Sequence, residues 1–453
     1  MRKNGVDMLS GSITKSLIVF SLPVMIQNLM LNLFNVIDMT VLKTFDAGGI
    51  AVGAVGVCGT LIGLITGLLI GVSTGANVTV ARAIGEGDKE KVERTVGSSM
   101  AVALAGGFLL LLVGVTFART FLQWTNCPEE LLDQATLYFQ LYFVGVPITI
   151  VYTFTVAILR SAGDSRRPMY ISLLAGAIKV GCTFLFVGVF RMSVAGVAVA
   201  TIVSWSVTMA FGLWVLVKND TIIKLKLSRI RFYKRETMDV LRIGVPDGLQ
   251  RGMWAVANVV ISATVNSFGT AATTGVSIAG NFDNILYNLA MAPSIAVMPY
   301  VSQNIGAGNV KRAEKAVGRG IMISTVLAGS LGILAAVFSK ELASIMSNDP
   351  ETIAYAQQRM DLLFSTYFIC GIYAVLGCAL RSMGRPNLAT VATFLFMCVL
   401  RFVWVYLVFP LLPNNLTFLY LVWPIGWILS IIMFLFYYFP TLKKLKEKYA
   451  AVQ

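Results

Sequence analysis

The chain has 453 residues, 57% of them hydrophobic and 13% charged, with a formal net charge of +14 and no histidine. Soluble domains carry about 25% charged residues, so a chain this apolar has too little polar surface for a water-soluble globule. The missing histidine excludes Ser-His and Cys-His catalysis, and six cysteines outside any CxxC pair leave no zinc-type ligand set.

Apolar windows of about 20 residues recur along the whole length, the signature of membrane-spanning helices. They predict twelve spans near 16–42, 50–80, 96–118, 134–159, 169–190, 193–217, 241–266, 275–300, 317–338, 354–380, 388–410 and 416–438. The first follows a polar start and lacks a cleavage site, so it reads as a retained helix rather than a signal peptide. Lys and Arg gather in alternate loops, most densely in 218–242. The positive-inside rule then puts both termini and the basic loops in the cytoplasm of a multi-pass protein of the plasma (inner) membrane. The basic balance thus reflects topology and contact with anionic lipid, not a nucleic-acid partner.

Along the chain, the first span carries Gln27, Asn28, Asn32, Asn35 and Asp38. At 100° per residue these fall within an arc of about 140°. Such a face does not meet lipid without cost, so it walls a cavity or bonds a neighbouring helix. Asp38 is a candidate titratable or cation-binding carboxylate. A charge near the bilayer centre costs about 2.5–3.5 kcal/mol, which points to use rather than accident. The same argument singles out Lys179 in the fifth span; Thr201 in the sixth offers an oxygen ligand. In the second half, Gln250 and Asn258 lie in the seventh span. Asn281, Asn284 and Asn288 share a face of the eighth, with Asp283 nearby as the candidate for meeting a cationic substrate. Arg401, in the eleventh, pairs with Asp283, packs over an aromatic ring such as that of Trp404, or binds an anionic group. Asp361 and Arg251 lie nearer span ends and read as interfacial. Pro23, Pro147, Pro246 and Pro293 interrupt helical runs and permit bends.

The two halves echo each other. Pro23, Gln27, Asn35 and Phe45 match Pro246, Gln250, Asn258 and Phe268, all 223 residues on. Ile84-Gly85-Glu86-Gly87-Asp88 matches Ile305-Gly306-Ala307-Gly308-Asn309, and Leu159-Arg160-Ser161-Ala162-Gly163 matches Leu380-Arg381-Ser382-Met383-Gly384, now 221 on. Six spans per half return the chain to its starting side. The expected fold is therefore all-α: two six-helix bundles related by a pseudo-twofold axis along the membrane normal, with a cavity between them. The bundles are 1–217 and 241–453, joined by a cytoplasmic linker at 218–240. Gly85, Gly87, Gly306 and Gly308 suit turns with positive φ at helix ends. No GxxxxGK[ST] motif supports nucleotide hydrolysis.

These motifs resemble the multidrug and toxic compound extrusion (MATE) family over essentially the whole chain. Gly75-Ala76-Asn77-Val78 leading into Ala81-Arg82 and Gly85-Glu86-Gly87-Asp88, then Leu159 to Asp164, then Gln303 to Asn309, carry the resemblance in this order and spacing. It implies efflux of amphipathic, often cationic, drug-like compounds in exchange for sodium or protons, by rocking of the two bundles. No cofactor beyond the coupling ion is implied, and a monomer is expected. The resemblance also ties the aspartate at the Asp38 place to cation coupling. It brings asparagine to the Lys179 place and often asparagine or aspartate to the Thr183 place, where this chain departs. Lys179 is thus an internal counter-ion to Asp38, a partner in proton exchange, or a side chain that snorkels away. A flippase for a lipid-linked saccharide is the rival reading, favoured by Lys179 and Arg401. A membrane-embedded enzyme would need a ligand cluster or an activated nucleophile, and neither is visible.

Overall fold

The computed structural model describes residues 5–45, 50–125, 127–218, 222–413 and 415–450. Side chains at 35, 38, 39, 42, 43, 50–53, 60 and 255 lie outside that description. Among the described residues all regular structure is helical. In chain order the long helices are α1 (Ile13–Phe45), α2 (Ile50–Glu86), α3 (Lys89–Thr116), α4 (Glu129–Ser161), α5 (Arg166–Thr183), α6 (Ser193–Lys218), α7 (Lys234–Asn266), α8 (Thr270–Gly306), α9 (Val310–Val337), α10 (Pro350–Ser365), α11 (Tyr367–Ser382), α12 (Pro386–Thr393) and α13 (Val422–Ala450). Ten helices among the described residues are long and apolar enough to cross a membrane, or up to 11 if the bent pair α10–α11 is one span. The remaining expected span is α7, which carries Arg242, Asp247 and Arg251 along its run.

The span expected at 354–380 is not one straight helix. It breaks at Thr366, and α10 and α11 are bent by 51°. The Thr366 hydroxyl donates to the carbonyls of Leu362 and Leu363, and its N–H to Leu363, a tightened last turn that ends α10. By contrast, helix continues through Pro23, Pro147, Pro246 and Pro293. Further along, π-helical stretches follow α5 at Phe184–Val189 and recur at Phe394–Val399 and Trp404–Val408.

The helices pack as two units. One is Met1–Asp7 with Ile26–Gly252, the other Met8–Met25 with Met253–Gln453. The expected bundles 1–217 and 241–453 follow chain order; the packing assigns the start of α1 to the second unit and the start of α7, with the linker, to the first. Glycines in the first unit explain how α7 is held there. A Cβ on Gly71 would lie 2.3 Å from the Gly248 backbone, one on Gly75 2.1 Å from the Val240 carbonyl, and one on Gly244 2.5 Å from Val72. Small residues four apart on both α2 and α7 let the backbones touch, the packing that replaces hydrophobic drive inside a bilayer. Within the second unit, Asn304 donates its amide to the Met8 carbonyl at 2.9 Å, and Arg312 donates to the Ser10 carbonyl at 2.7 Å.

The repeat is visible as matched helix ends. Gly163 N–H donates to Arg160 and Asp164 N–H to Leu159; Gly384 N–H donates to Arg381 and Arg385 N–H to Leu380. These are the two bonds of a Schellman cap, and both glycines have positive φ, 86° and 82°. Gly87 and Gly308 also turn with positive φ, as expected, whereas Gly85 and Gly306 remain inside α2 and α8.

Candidate functional site

Each unit encloses a cavity. In the first unit it has a volume of about 540 Å³ and is lined from α1 by Gln27, Asn28, Leu31 and Phe34, and from α5 by Ser172, Ala175, Gly176 and Lys179. Both sets have the i, i+3/i+4, i+7 spacing of one helical face. From α4 come Tyr138, Tyr142, Tyr152 and Arg160; from α6, Thr201, Ser204, Trp205 and Thr208. α1 and α5 approach closely because Gly176 leaves its Cβ space to the Phe34 ring.

A hydrogen-bonded chain crosses this cavity. Arg160 donates to Gln27 Oε1 at 2.9 Å; Gln27 Nε2 donates to Ser172 Oγ at 2.7 Å; Ser172 and Tyr152 share a hydroxyl bond of 2.8 Å. Gln27 is thereby used at both ends of its amide, which explains its burial. Arg160 Nε is buried with no hydrogen-bond partner. The hydroxyls of Thr201 and Ser204 donate to the Val197 and Ala175 carbonyls, both at 2.8 Å. The described lining contains two cations, Lys179 and Arg160, and no carboxylate.

Asp38 and Asn35 lie on α1 but their side chains are outside the described residues, so the anticipated meeting of Asp38 with Lys179 falls there too. Asn32 is not on the lining; it donates to the Asn28 carbonyl of its own helix at 3.1 Å. One step of 100° past Leu31 turns it off the cavity face. Gln250, the repeat mate of Gln27, belongs to the first unit and lines neither cavity.

The second unit's cavity has a volume of about 330 Å³. Asn258 and Trp254 reach it from α7; Gly280, Asp283, Asn284 and Tyr287 form the contributing face of α8. Asn281 and Asn288 stand one position beyond Gly280 and Tyr287 and do not line it. Asn288 instead donates to the Asn284 carbonyl at 2.8 Å. Asp283 does not pair with Arg401. Its carboxylate takes Arg359 of α10 at 3.2 Å and the hydroxyl of Tyr367, which the bend between α10 and α11 brings over. Arg401 is 2% exposed; it donates to Asn258 and lies 4.9 Å from the centroid of the Trp423 ring. Trp404 turns elsewhere, donating to the Phe418 carbonyl at 3.0 Å. Arg251 pairs within its own helix with Asp247, which is 6% exposed and also receives the Thr74 hydroxyl at 2.9 Å.

Arg359, Tyr367 and Trp423 escaped the sequence reading, as did Arg160 as anything more than a motif residue. Arg359 sits in the second half of the largely polar α10, and only the fold aims it at Asp283. The Tyr152–Ser172 bond did leave a signal: its repeat mates, Tyr373 and Thr393, form the same bond at 3.1 Å in the second unit.

Comparisons with known proteins agree with this construction. The MatE family profile matches residues 23–185 and 250–407, one match in each half. The probable multidrug resistance protein YpnP of Bacillus subtilis is 25% identical over 396 residues, 87% of this chain and 88% of that one. A FAD transporter of Shewanella oneidensis is 25% identical over 391 residues, 85% of each chain. Among solved structures, a MATE protein crystallised in the straight conformation superposes with a TM-score of 0.91 over 99% of this chain and 100% of that one, at 20% identity. The chain therefore belongs to the MATE family of multi-pass cell-membrane transporters, which carry small molecules and are not enzymes.

Proposed function

We propose that the protein exports small amphipathic molecules by alternating access, in exchange for a coupling cation. The observation that carries this reading is the first unit's cavity. It is large enough for a drug-sized ligand, its walls are aromatic, and a few fixed donors converge in it. Position 38 lies eleven residues, about three turns, past Gln27, so helical periodicity sets Asp38 on the stripe of Gln27, Leu31 and Phe34. A carboxylate there, with the Lys179 ammonium on the same cavity, suits a coupling proton better than sodium. Either ion adds one positive charge beside Lys179 and Arg160, but a proton needs a single carboxylate oxygen, whereas sodium needs a shell of oxygen ligands and an ammonium at the Lys179 place supplies none. Thr201 then serves as a wall hydroxyl rather than a metal ligand. Cytoplasmic termini and a monomeric unit complete the reading.

Asp38 on this stripe offers Lys179 a counter-charge, so Arg160, which bonds the neutral Gln27 amide, is the charge that biases the cargo toward a neutral or acidic amphiphile. The Shewanella relative is named for FAD, an anionic aromatic compound, in keeping with that preference. The basic lining also favours the second reading, a flippase for a lipid-linked saccharide, whose phosphate would meet Arg160.

The deciding experiment is efflux of paired fluorescent lipophilic anions and cations from pump-deficient cells, with proton and sodium gradients collapsed in turn. Efflux abolished by a protonophore, indifferent to sodium, and lost in a well-expressed Asp38→Asn variant is the expected result. Unchanged efflux by that variant would refute the coupling role. Absence of efflux for every dye, with translocation of a lipid-linked saccharide in vesicles, would install the flippase instead.

A further inference from the structure

The second unit's cavity holds more positive charge than its own groups balance. Asp283 is matched by Arg359 at 3.2 Å. Arg401, 2% exposed on the same cavity, has no carboxylate within ion-pairing distance among the described residues; Asn258 is its hydrogen-bond acceptor and the Trp423 ring its cover. A buried cation without a counter-charge is costly. Two further donors around the cavity are buried without an acceptor: the indole N–H of Trp254 and the Nε–H of Arg359. Native structures rarely leave such donors unmet unless something else satisfies them. The remaining wall is aromatic, including Trp423 and Trp427.

We infer that this cavity is a binding site for an aromatic organic anion. One or two fused rings sit against the tryptophans, and a carboxylate or sulfonate accepts from Arg401 and Trp254. A guanidinium offers a planar fork that matches such a group, and indole faces accept a ring while stacking with the arginine. The volume of about 330 Å³ suits a compact ligand rather than a lipid-linked sugar. Asp283 acts against the ligand's charge and limits affinity. This site rests on the transport reading for its purpose in the cycle, but its occupancy is measured without transport, so the two can fail separately.

The test uses the full-length protein purified in detergent micelles and isothermal titration with two probes of the same ring: 2-naphthoate and 2-naphthylmethylammonium. Wild type is expected to prefer the naphthoate by at least about tenfold, the range of one charge-assisted hydrogen bond. Arg401→Gln is expected to remove that preference, Arg401→Lys to retain part of it, and Asp283→Asn to strengthen naphthoate binding. An ammonium bound as tightly as the naphthoate by wild type overturns the inference, whatever the variants do. So does a naphthoate affinity unchanged in a monodisperse Arg401→Gln protein.

Discussion

The first unit sets its cavity arginine among amides and hydroxyls; the second surrounds two arginines with one carboxylate and indole rings. Both cavities descend from the same repeat, since Tyr152–Ser172 and Tyr373–Thr393 form one bond twice and Gly163 and Gly384 cap their helices identically. The duplicated elements are therefore the joints: a hydroxyl brace across two helices and a glycine turn. The polar residues aimed into each space have diverged. Arg160 bonds Gln27 in one unit, while its repeat mate Arg381 is buried away from the other cavity. Joints must satisfy backbone and packing geometry whatever the cargo, whereas a cavity lining answers to what it holds.

Altering the charged pair should separate the units most. Asp283→Asn leaves Arg359 without its carboxylate in a partly buried site. A loss of about 3 kcal/mol is expected, near the low end for a broken buried pair because both side chains keep some exposure. Thermal unfolding of the purified variant would measure it, and an unchanged midpoint would show that the pair contributes nothing net. In the first unit, Gln27→Leu removes both an acceptor from Arg160 and a donor to Ser172. About 1–3 kcal/mol should be lost, with efflux reduced and Gln27→Glu recovering the Arg160 contact. If Gln27→Leu unfolds no earlier than wild type, the chain from Arg160 to Tyr152 is not cooperative.

The brace gives a symmetrical check. Tyr152→Phe and Tyr373→Phe should each cost about 1 kcal/mol for the shared hydroxyl bond, with Tyr152→Phe slightly the costlier because its hydroxyl also donates to the Pro168 carbonyl at 3.3 Å. Strongly unequal costs would mean the repeat kept the geometry but not the energetics. The smallest effect distinguishes matched helix starts. α4 begins after Pro128 with no side-chain cap, whereas Asp349 caps α10 by accepting from the Thr352 N–H at 3.0 Å and from its hydroxyl. Those bonds hold the Asp349 carboxyl below its usual range. A depressed folded-state value means the cap stabilises fully above the ordinary aspartate pKa and fades as pH falls through the lowered one. Hydrogen exchange under increasingly acid conditions should therefore loosen the start of α10 more than that of α4, whose first-turn Glu129 and Glu130 act only through the helix dipole. Equal loosening at both starts would remove Asp349 as the cause.

The spans, the repeat, the family and several lining residues were legible in the residues alone. Apolar length, the cost of a charge in lipid and glycine turns are local properties, each readable from a window of the chain. That is why Gln27, Asn28, Lys179, Thr201, Asn258, Asp283, Asn284 and Arg401 could be singled out and are found on the two linings. Their partners were not legible. Arg359 and Tyr367 reach Asp283 only because Thr366 bends the tenth span, and Gln27 finds Arg160 and Ser172 across 133 and 145 residues of chain. A side chain's position on its helix follows from 100° per residue; which neighbour it meets depends on how helices far apart in the chain are packed. The sequence by itself determined the membrane and the duplication, and for each cavity some of the residues that line it. The tertiary structure decided which charges are matched, because a pairing energy depends on distances that no single segment contains.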